Sequence, residues 1–538
     1  MLWVAVSPLL WAQNFNPRVE VTNTYRSNVA DVQKQDLTMD VPDSLLNFDY
    51  KLDYTVFDHP YKGSYEFRPY LIEMAPKGSE AQDHRLYVHA GAGYTFAPEA
   101  DFVLRHKFSD AFSGVVYDSF RGYYGRMKAV SWEPSFNGSL YRNDFGFTTE
   151  YKVPEYTLDG HLNYRYLNAG DGSISRSLNG LTVGADISAP ALSSGSLALE
   201  GGVELSFAGD DYKTYVADQL SEFGVGAHVC VEAPVQAIAG SLAAELGMEG
   251  AFFGGAFKAH GVHLYAVPKY VLKSDIATLS AGVKLSFLPS SLDGSDFYDY
   301  RSALLFPDIH GNVFIYKDRV SIFTDITGGN TLNTRTSVLE HNPFADPGVF
   351  NDLDASADRV NASAGIRGNI ARYLQFKAWA GYVVAENMLG ESYFLSPAGR
   401  SVPVFVYEDC RYSQGGVSLD YLGGSLELSA LAAFRHTTGL QDAIAPSPFT
   451  LDLYGRYNWS GRIFAGAYLH HGSARDNIDS GLSVPAWTDL GLFGEYLLKD
   501  NLSLWARLDN ILCQDIQQYL MHARRGLNFT VGVCLNIR

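Results

Sequence analysis

A chain of 538 residues with a formal net charge of −18 and a pI near 5.2 lacks the basic surface that phosphate backbones require, which argues against nucleic acid as a partner. Only 19% of its residues are charged, against roughly 25% in an average soluble domain, and 14% are aromatic. With a mean hydropathy of −0.08 the chain is not a helical membrane protein, but it fits a membrane β-barrel, whose alternating apolar and polar residues average to near neutrality.

At the amino end, "MLWVAVSPLLWAQN" offers an apolar stretch from Leu2 to Trp11 and then a small-residue approach to Ala12 and Gln13. This is the h-region and cleavage site of a secretory signal, expected over residues 1–13; a buried apolar strand is the alternative. The stretch is too short to cross a bilayer as a helix, which takes about 20 apolar residues. Residues 14–84 are polar and punctuated by Pro17, Pro42, Pro60, Pro69 and Pro76, without helical periodicity or a glycine-rich phosphate loop. They are expected to be an extended N-terminal segment, periplasmic or lumen-associated, whose aromatics (Phe48, Tyr50, Tyr54, Phe57, Tyr61) pack on something large.

From Arg85 onward one pattern recurs. "RLYVHAGAGYTF" puts Leu86, Val88, Ala90, Ala92, Tyr94 and Phe96 on one face, and Tyr87 and His89 on the other. "GSLALEGGVELSF", "ATLSAGVKLSF", "GSLELSALAAF" and "NLSLWARLD" repeat it. Period-2 runs of about 10 residues between turn clusters are the mark of transmembrane β-strands. Phe96, Phe207, Phe287 and Phe434 end their apolar faces on an aromatic, as an interfacial girdle requires. Soluble sandwiches or a propeller would alternate too, but no blade or sandwich period recurs. The expectation is an all-β fold, a transmembrane antiparallel barrel of roughly 22 strands over residues 85–538. Three polar inserts, "SLDGSDFYDYRSALLFPD", "RTSVLEHNPFADPGVFNDLDASADR" and "LGESYFLSPAGRSVPVFVYEDCRYSQ", are expected as long outward-facing loops.

Two of those inserts carry acidic clusters, Asp293, Asp296 and Asp299, and Asp352, Asp354 and Asp358. They are weak candidates for calcium, since neither has the glycine and final glutamate of an EF-hand loop, and solvated loop acids are the more ordinary reading. "YLHHGSARD" places His470, His471, Ser473 and Asp476 together, but adjacency in a turn is not the convergent geometry of a hydrolase. Cys230, Cys410, Cys513 and Cys534 have neither zinc-ligand nor disulfide-framework spacing. No catalytic residue, metal site or cofactor is assigned.

The chain ends in "LNFTVGVCLNIR", a strand that would leave an unpaired edge unless it closes the barrel on "RLYVHAGAGYTF". Upstream, "LDNILCQDIQQYLMHARRG" completes a carboxyl end that resembles TonB-dependent outer-membrane receptors. Asn510, Tyr519, Gly526, Phe529 and Gly532 match that family's pattern, with Ile537 where the family has its final aromatic. The resemblance implies an outer-membrane location and uptake or passage of a solute, or alternatively a non-conducting scaffold barrel. The sequence departs from that family in one respect: the residues before the first strand show no plug-like succession of strands and helices, so a Bacteroidota-type barrel lacking a full plug domain is expected. The partners that the resemblance implies are outer-membrane lipid, the barrel-assembly machinery, and a TonB-type energy transducer or other envelope proteins.

Overall fold

The computed structural model describes residues 85–537 apart from 130–133, 172–174, 192–196, 212–219, 236–239, 256–258, 289–302, 317–318, 346–353, 372, 396–400 and 477–482. The expectations for residues 1–13 and 14–84, and for Asp293, Asp296, Asp299 and Asp352, lie outside the described residues.

The period-2 segments form one antiparallel sheet in which strands consecutive along the ring are paired. The last strand, Asn528–Ile537, bonds to Leu502–Asp509 on one side and to the first strand, Leu86–Tyr94, on the other. This closing register runs from Leu86↔Ile537 to Tyr94↔Phe529, so the expected captor of the final strand is the one found. The sheet has 24 strands, of which the hairpin Asp515–Tyr519 and His522–Arg525 stands above the ring, leaving 22 in the closed barrel. Closure leaves the ring without a free edge, which is what a sheet in lipid needs.

Alternation sorts the faces as expected. Val203, Leu205, Phe207, Val283, Leu285, Phe434, Phe529, Val531 and Val533 are exposed on the outside, whereas Tyr87 and His89 are buried on the inside. Outward aromatics gather at both strand ends, with Tyr94, Phe207, Phe287 and Phe434 at one and Tyr151, Tyr316, Tyr457 and Trp459 at the other. The connections differ in the same sense. Turns such as 108–111, 423–425 and 500–501 are tight at one end, while 333–354, 439–448, 473–486 and 510–527 are long at the other.

One expected loop proved to be largely strand, and the described end of another opens a strand. "LGESYFLSPAGRSVPVFVYEDCRYSQ" belongs to the 22-residue strands Leu374–Leu395 and Ser401–Leu422, and "ALLFPD" opens Ala303–Tyr316. Beyond the apolar band a strand no longer needs a greasy outer face, so its polar residues read as loop although "VPVFVY" keeps its β-branched and aromatic character. The first hairpin is short in turn. Leu86–Tyr94 and Glu99–Lys107 have 9 residues each against 17 in the neighbouring Phe112–Lys128, and above them the hairpin Asp515–Tyr519/His522–Arg525 supplies the wall through Ala523↔Lys128 and Arg524↔Met127.

Candidate functional site: a charged lumen under an inward-folded cap

The second insert folds into the barrel's long-loop end as the helix Arg335–His341. Thr334 caps it in a reciprocal box: its Oγ1 accepts from Ser337 N at 3.1 Å, and Ser337 Oγ accepts from Thr334 N at 3.1 Å. Seven residues are too few to stand as an isolated helix, so packing holds this one. Val338, Leu339, Phe344 and Ala345 share a buried core with Tyr123, Met127, Leu140 and Leu167 of the wall, with Leu389 and Phe405 of the long strands Leu374–Leu395 and Ser401–Leu422, and with Tyr519 of the 515–525 hairpin. Beside it Leu520 and Met521, at the tip of the 515–525 hairpin, are buried with Ile444 and Val484.

Charged and polar contacts anchor the cap around that apolar centre. Arg335 pairs with Asp210, Thr336 N donates to Glu222 at 3.1 Å, and Glu340 pairs with Arg165. Arg165 also meets Asp144 at 2.6 Å, which Arg142 contacts at the same distance. Arg176 Nη1 donates to the carbonyls of Phe344, at 2.7 Å, and Ala345. On the other side Glu391 is a buried node: Asn342 Nδ2 donates to it at 3.2 Å, His341 Nε2 lies 3.4 Å away and Arg475 3.8 Å away. Burial acts to raise the Glu391 carboxyl, but its contacts with His341, Arg475 and Asn342 outweigh burial and hold it below the usual carboxylate range.

The inner wall carries charged side chains of both signs, with a run of acids on neighbouring strands. Asp186, Glu200, Glu204, Glu232, Glu245 and Glu249 line adjacent strands, with His161 3.8 Å from Asp186 and 3.5 Å from Glu204, and Lys269 2.9 Å from Glu245. Further along the ring Arg367 and Lys377 both sit over the Phe323 ring, at 5.2 and 5.1 Å. Between these two groups of strands Ser286 Oγ lies 2.7 Å from His263 Nε2, whose Nδ1 is 3.4 Å from Glu249, and Asn330 donates to the same Oγ at 2.6 Å. This is a hydrolase-like order of groups, but His263 is 0% and Ser286 3% exposed. An acyl group has no approach to the hydroxyl, and the row acts as a polar pin joining four strands.

The family-matching residues are structural. Asn510, at φ 53, accepts from Gln514 N at 2.9 Å and donates to the carbonyls of Gln514 and Gly526 at 2.8 and 2.9 Å, which folds the 510–527 connection back on itself. Gly526 has φ 86, a region glycine enters freely. Tyr519 meets Phe344 edge-on at 5.7 Å, while Phe529 and Ile537 face outward. Gly532 pairs with Gly91, and Trp505 lies over both on the inner face while stacking on His89 at 4.3 Å. A Cβ at Gly532 would meet the Trp505 ring at 2.5 Å and the Ala90 carbonyl at 2.1 Å. Next to this bed Arg507 bonds Glu99 at 2.9 Å and Asp509 at 3.1 Å, and Asp509 accepts from Tyr468.

The remaining candidates do not converge. The Asp354 carboxylate accepts from Ala355 N and Asn387 Nδ2, both at 2.7 Å, and Asp358 sits in the neighbouring strand Ala355–Ala371. His470 Nδ1 faces Asp452 at 2.7 Å and His471 Nδ1 faces Thr488 at 2.9 Å, while Ser473 Oγ accepts from Phe449 N. Asp476 lies in the small ladder Arg475–Asp476 with Ser483–Val484. Sequence reasoning missed the helix, although Thr334 and Ser337 spell its capping box, and it missed Glu391, for which no local signal exists.

No protein-family model matches the chain, and no curated protein matches it in sequence. Solved structures do match. The ferric enterobactin receptor PfeA of Pseudomonas aeruginosa aligns with a TM-score of 0.58 at 12% identity, over 84% of this chain and 80% of its own. The copper transporter OprC aligns at 0.62 and 11%, over 84% and 81%. The siderophore receptor PirA of Acinetobacter baumannii aligns at 0.59 and 9%, over 84% and 80%. At such identities the likeness is one of architecture: the chain has the closed barrel fold of TonB-dependent siderophore and copper receptors.

Proposed function

We propose that this protein is an outer-membrane barrel through which a polar solute is taken up or passes. The observation that carries the reading is the union of a closed barrel, apolar outside, with an inner wall that bears charged side chains of both signs on many of its strands. Such a wall favours a charged or strongly dipolar solute over an apolar one. The long connections face outward and meet the solute first, and the tight turns face the periplasm. Outer-membrane lipid surrounds the apolar band, the barrel-assembly machinery reads the last strand, and a TonB-type transducer or another envelope protein engages the periplasmic end. Purified protein in planar bilayers is expected to show discrete conductance, and removal of the protein from its cell to lower uptake of a particular nutrient. Silence in both assays, also after the cap is trimmed away, overturns the reading.

The cap supports a second reading, a non-conducting barrel that scaffolds an envelope complex, because residues such as Leu339, Asn342, Ala345 and Met521 are fully buried at the long-loop end. Stable co-purification with other envelope proteins, together with that silence, would favour it.

A further inference from the structure

We propose that the outer face of the strands Phe112–Lys128, Phe136–Lys152 and Thr157–Gly170 is a lateral docking surface for a different membrane-embedded protein, which brings a lysine or arginine to Asp118. The inference concerns the outside of the wall and stands whether or not the lumen conducts.

Alternation places Asp118 on the lipid side. Its neighbours face inward, where Tyr117 accepts from Asn163 and Ser119 donates to Asp101, while Phe145, its partner across the ladder, is exposed on the outside. Asp118 stands midway between Phe112, beside the tight turn 108–111, and Tyr124, at the outer end of the strand. A tilted barrel strand gains about 2.5 Å of height per residue and the apolar band is about 25 Å tall, so the carboxylate lies near the middle of the band. Among the described residues it is the one Asp, Glu, Lys or Arg at an outward position between the two aromatic girdles. Outward positions at similar depth elsewhere are aliphatic, as at Val203, Leu246, Val283 and Ile366.

Lipid tails offer a carboxylate no donor, so an ion at this place is destabilising unless something else meets it. Asn143 Nδ2 donates to Asp118 Oδ1 at 3.0 Å and satisfies part of that need, while the other oxygen meets no donor among the described residues. Around the pair the wall turns aromatic, with Phe102, Phe120, Tyr141, Phe145 and Tyr164, and Tyr164 OH donates to Asn179 Oδ1 at 2.8 Å. Aromatic rings about a single charge are the composition of an interface centre rather than of a surface that meets only lipid.

Depth and sign choose the occupant. The amines of lipids ride at the head groups, well above and below this carboxylate, and acyl chains carry no cation. A second copy of this chain offers no outward lysine or arginine between the girdles among the described residues, and a two-fold contact centred here would set two acids together. A lysine or arginine on a membrane segment of another protein meets both requirements, because its long stem lies along the aromatic face while its head reaches Asp118.

The test places p-benzoylphenylalanine at Phe145 or, as control, at Ile366 on the opposite side of the ring, in the full chain in its own outer membrane. Photo-adducts are mapped by peptide mass spectrometry. At Phe145 one discrete protein adduct is expected, on a peptide that contains lysine or arginine, and none at Ile366. Asp118→Asn is expected to lower the adduct yield about tenfold or more, and Asp118→Glu, which keeps the charge, to retain most of it. Retained heat-resistant mobility of the barrel shows that the variants are folded. Adducts to lipid alone, adducts joining two copies of this chain, the same protein captured at Ile366, or a yield that ignores Asp118→Asn or falls as far in Asp118→Glu each overturn the proposal.

Discussion

The seam and the cap close the same barrel in two different ways. At the seam, nine backbone pairs between Leu86–Tyr94 and Asn528–Ile537 are backed on the inside by Trp505 over two glycines and by Arg507 between Glu99 and Asp509. At the cap, one short helix with a small apolar patch is held by side chains reaching from separate strands. Ladder hydrogen bonds open only with the sheet, whereas side-chain anchors exchange individually with water. The ring is thus closed by a continuous ladder and its mouth by an apolar centre with separate side-chain anchors.

The comparison breaks most visibly at Arg507. Its replacement by alanine leaves Glu99 and Asp509 buried without their shared cation, at a cost of about 3–5 kcal/mol. The urea midpoint of the detergent-folded barrel is expected to fall, and an unchanged midpoint would show that the network is not part of closure. Gly532→Val comes next. Its side chain must displace the Trp505 ring and press on the Ala90 carbonyl, costing about 1–3 kcal/mol in the same assay. Asn510→Ala removes three hydrogen bonds inside one connection, about 1 kcal/mol each. It should raise hydrogen exchange over 515–525 while sparing the ring, and a glycine there, which tolerates φ 53, should do less harm to the turn than alanine.

The smallest effect belongs to the cap. Because Glu391 is held below the ordinary carboxylate range, its share of cap stability is present above the unfolded value, about 4.3, and fades as pH falls through the lower folded value. Exchange protection of 335–345, corrected for intrinsic rate, should hold from pH 7 to 5 and decline below about 4. In Glu391→Gln the decline should vanish, and a decline that persists there assigns it to another group.

The ring was legible because its physics is local and repetitive: every second residue faces lipid, so "ATLSAGVKLSF" announces both strand and sides, and "NFTVGVCLNI" announces its need for a partner. The cap was not, because its anchors join residues far apart in sequence, such as Arg165 with Glu340 or Asn342 with Glu391. The long hairpin failed differently. Above the bilayer both faces of Leu374–Leu395 and Ser401–Leu422 meet protein or water, and alternation loses the lipid that enforces it. The carboxyl-terminal pattern pointed to residues that shape a turn and a seam.

The short first hairpin leaves a notch in the rim that the 515–525 hairpin fills through two residue pairs. The gap lies at the start of the barrel sequence and its patch in the last connection, so the pairs Ala523↔Lys128 and Arg524↔Met127 tie together the two ends of the sheet a second time, above the seam. The rim and the ring are thus completed by the same two stretches of chain.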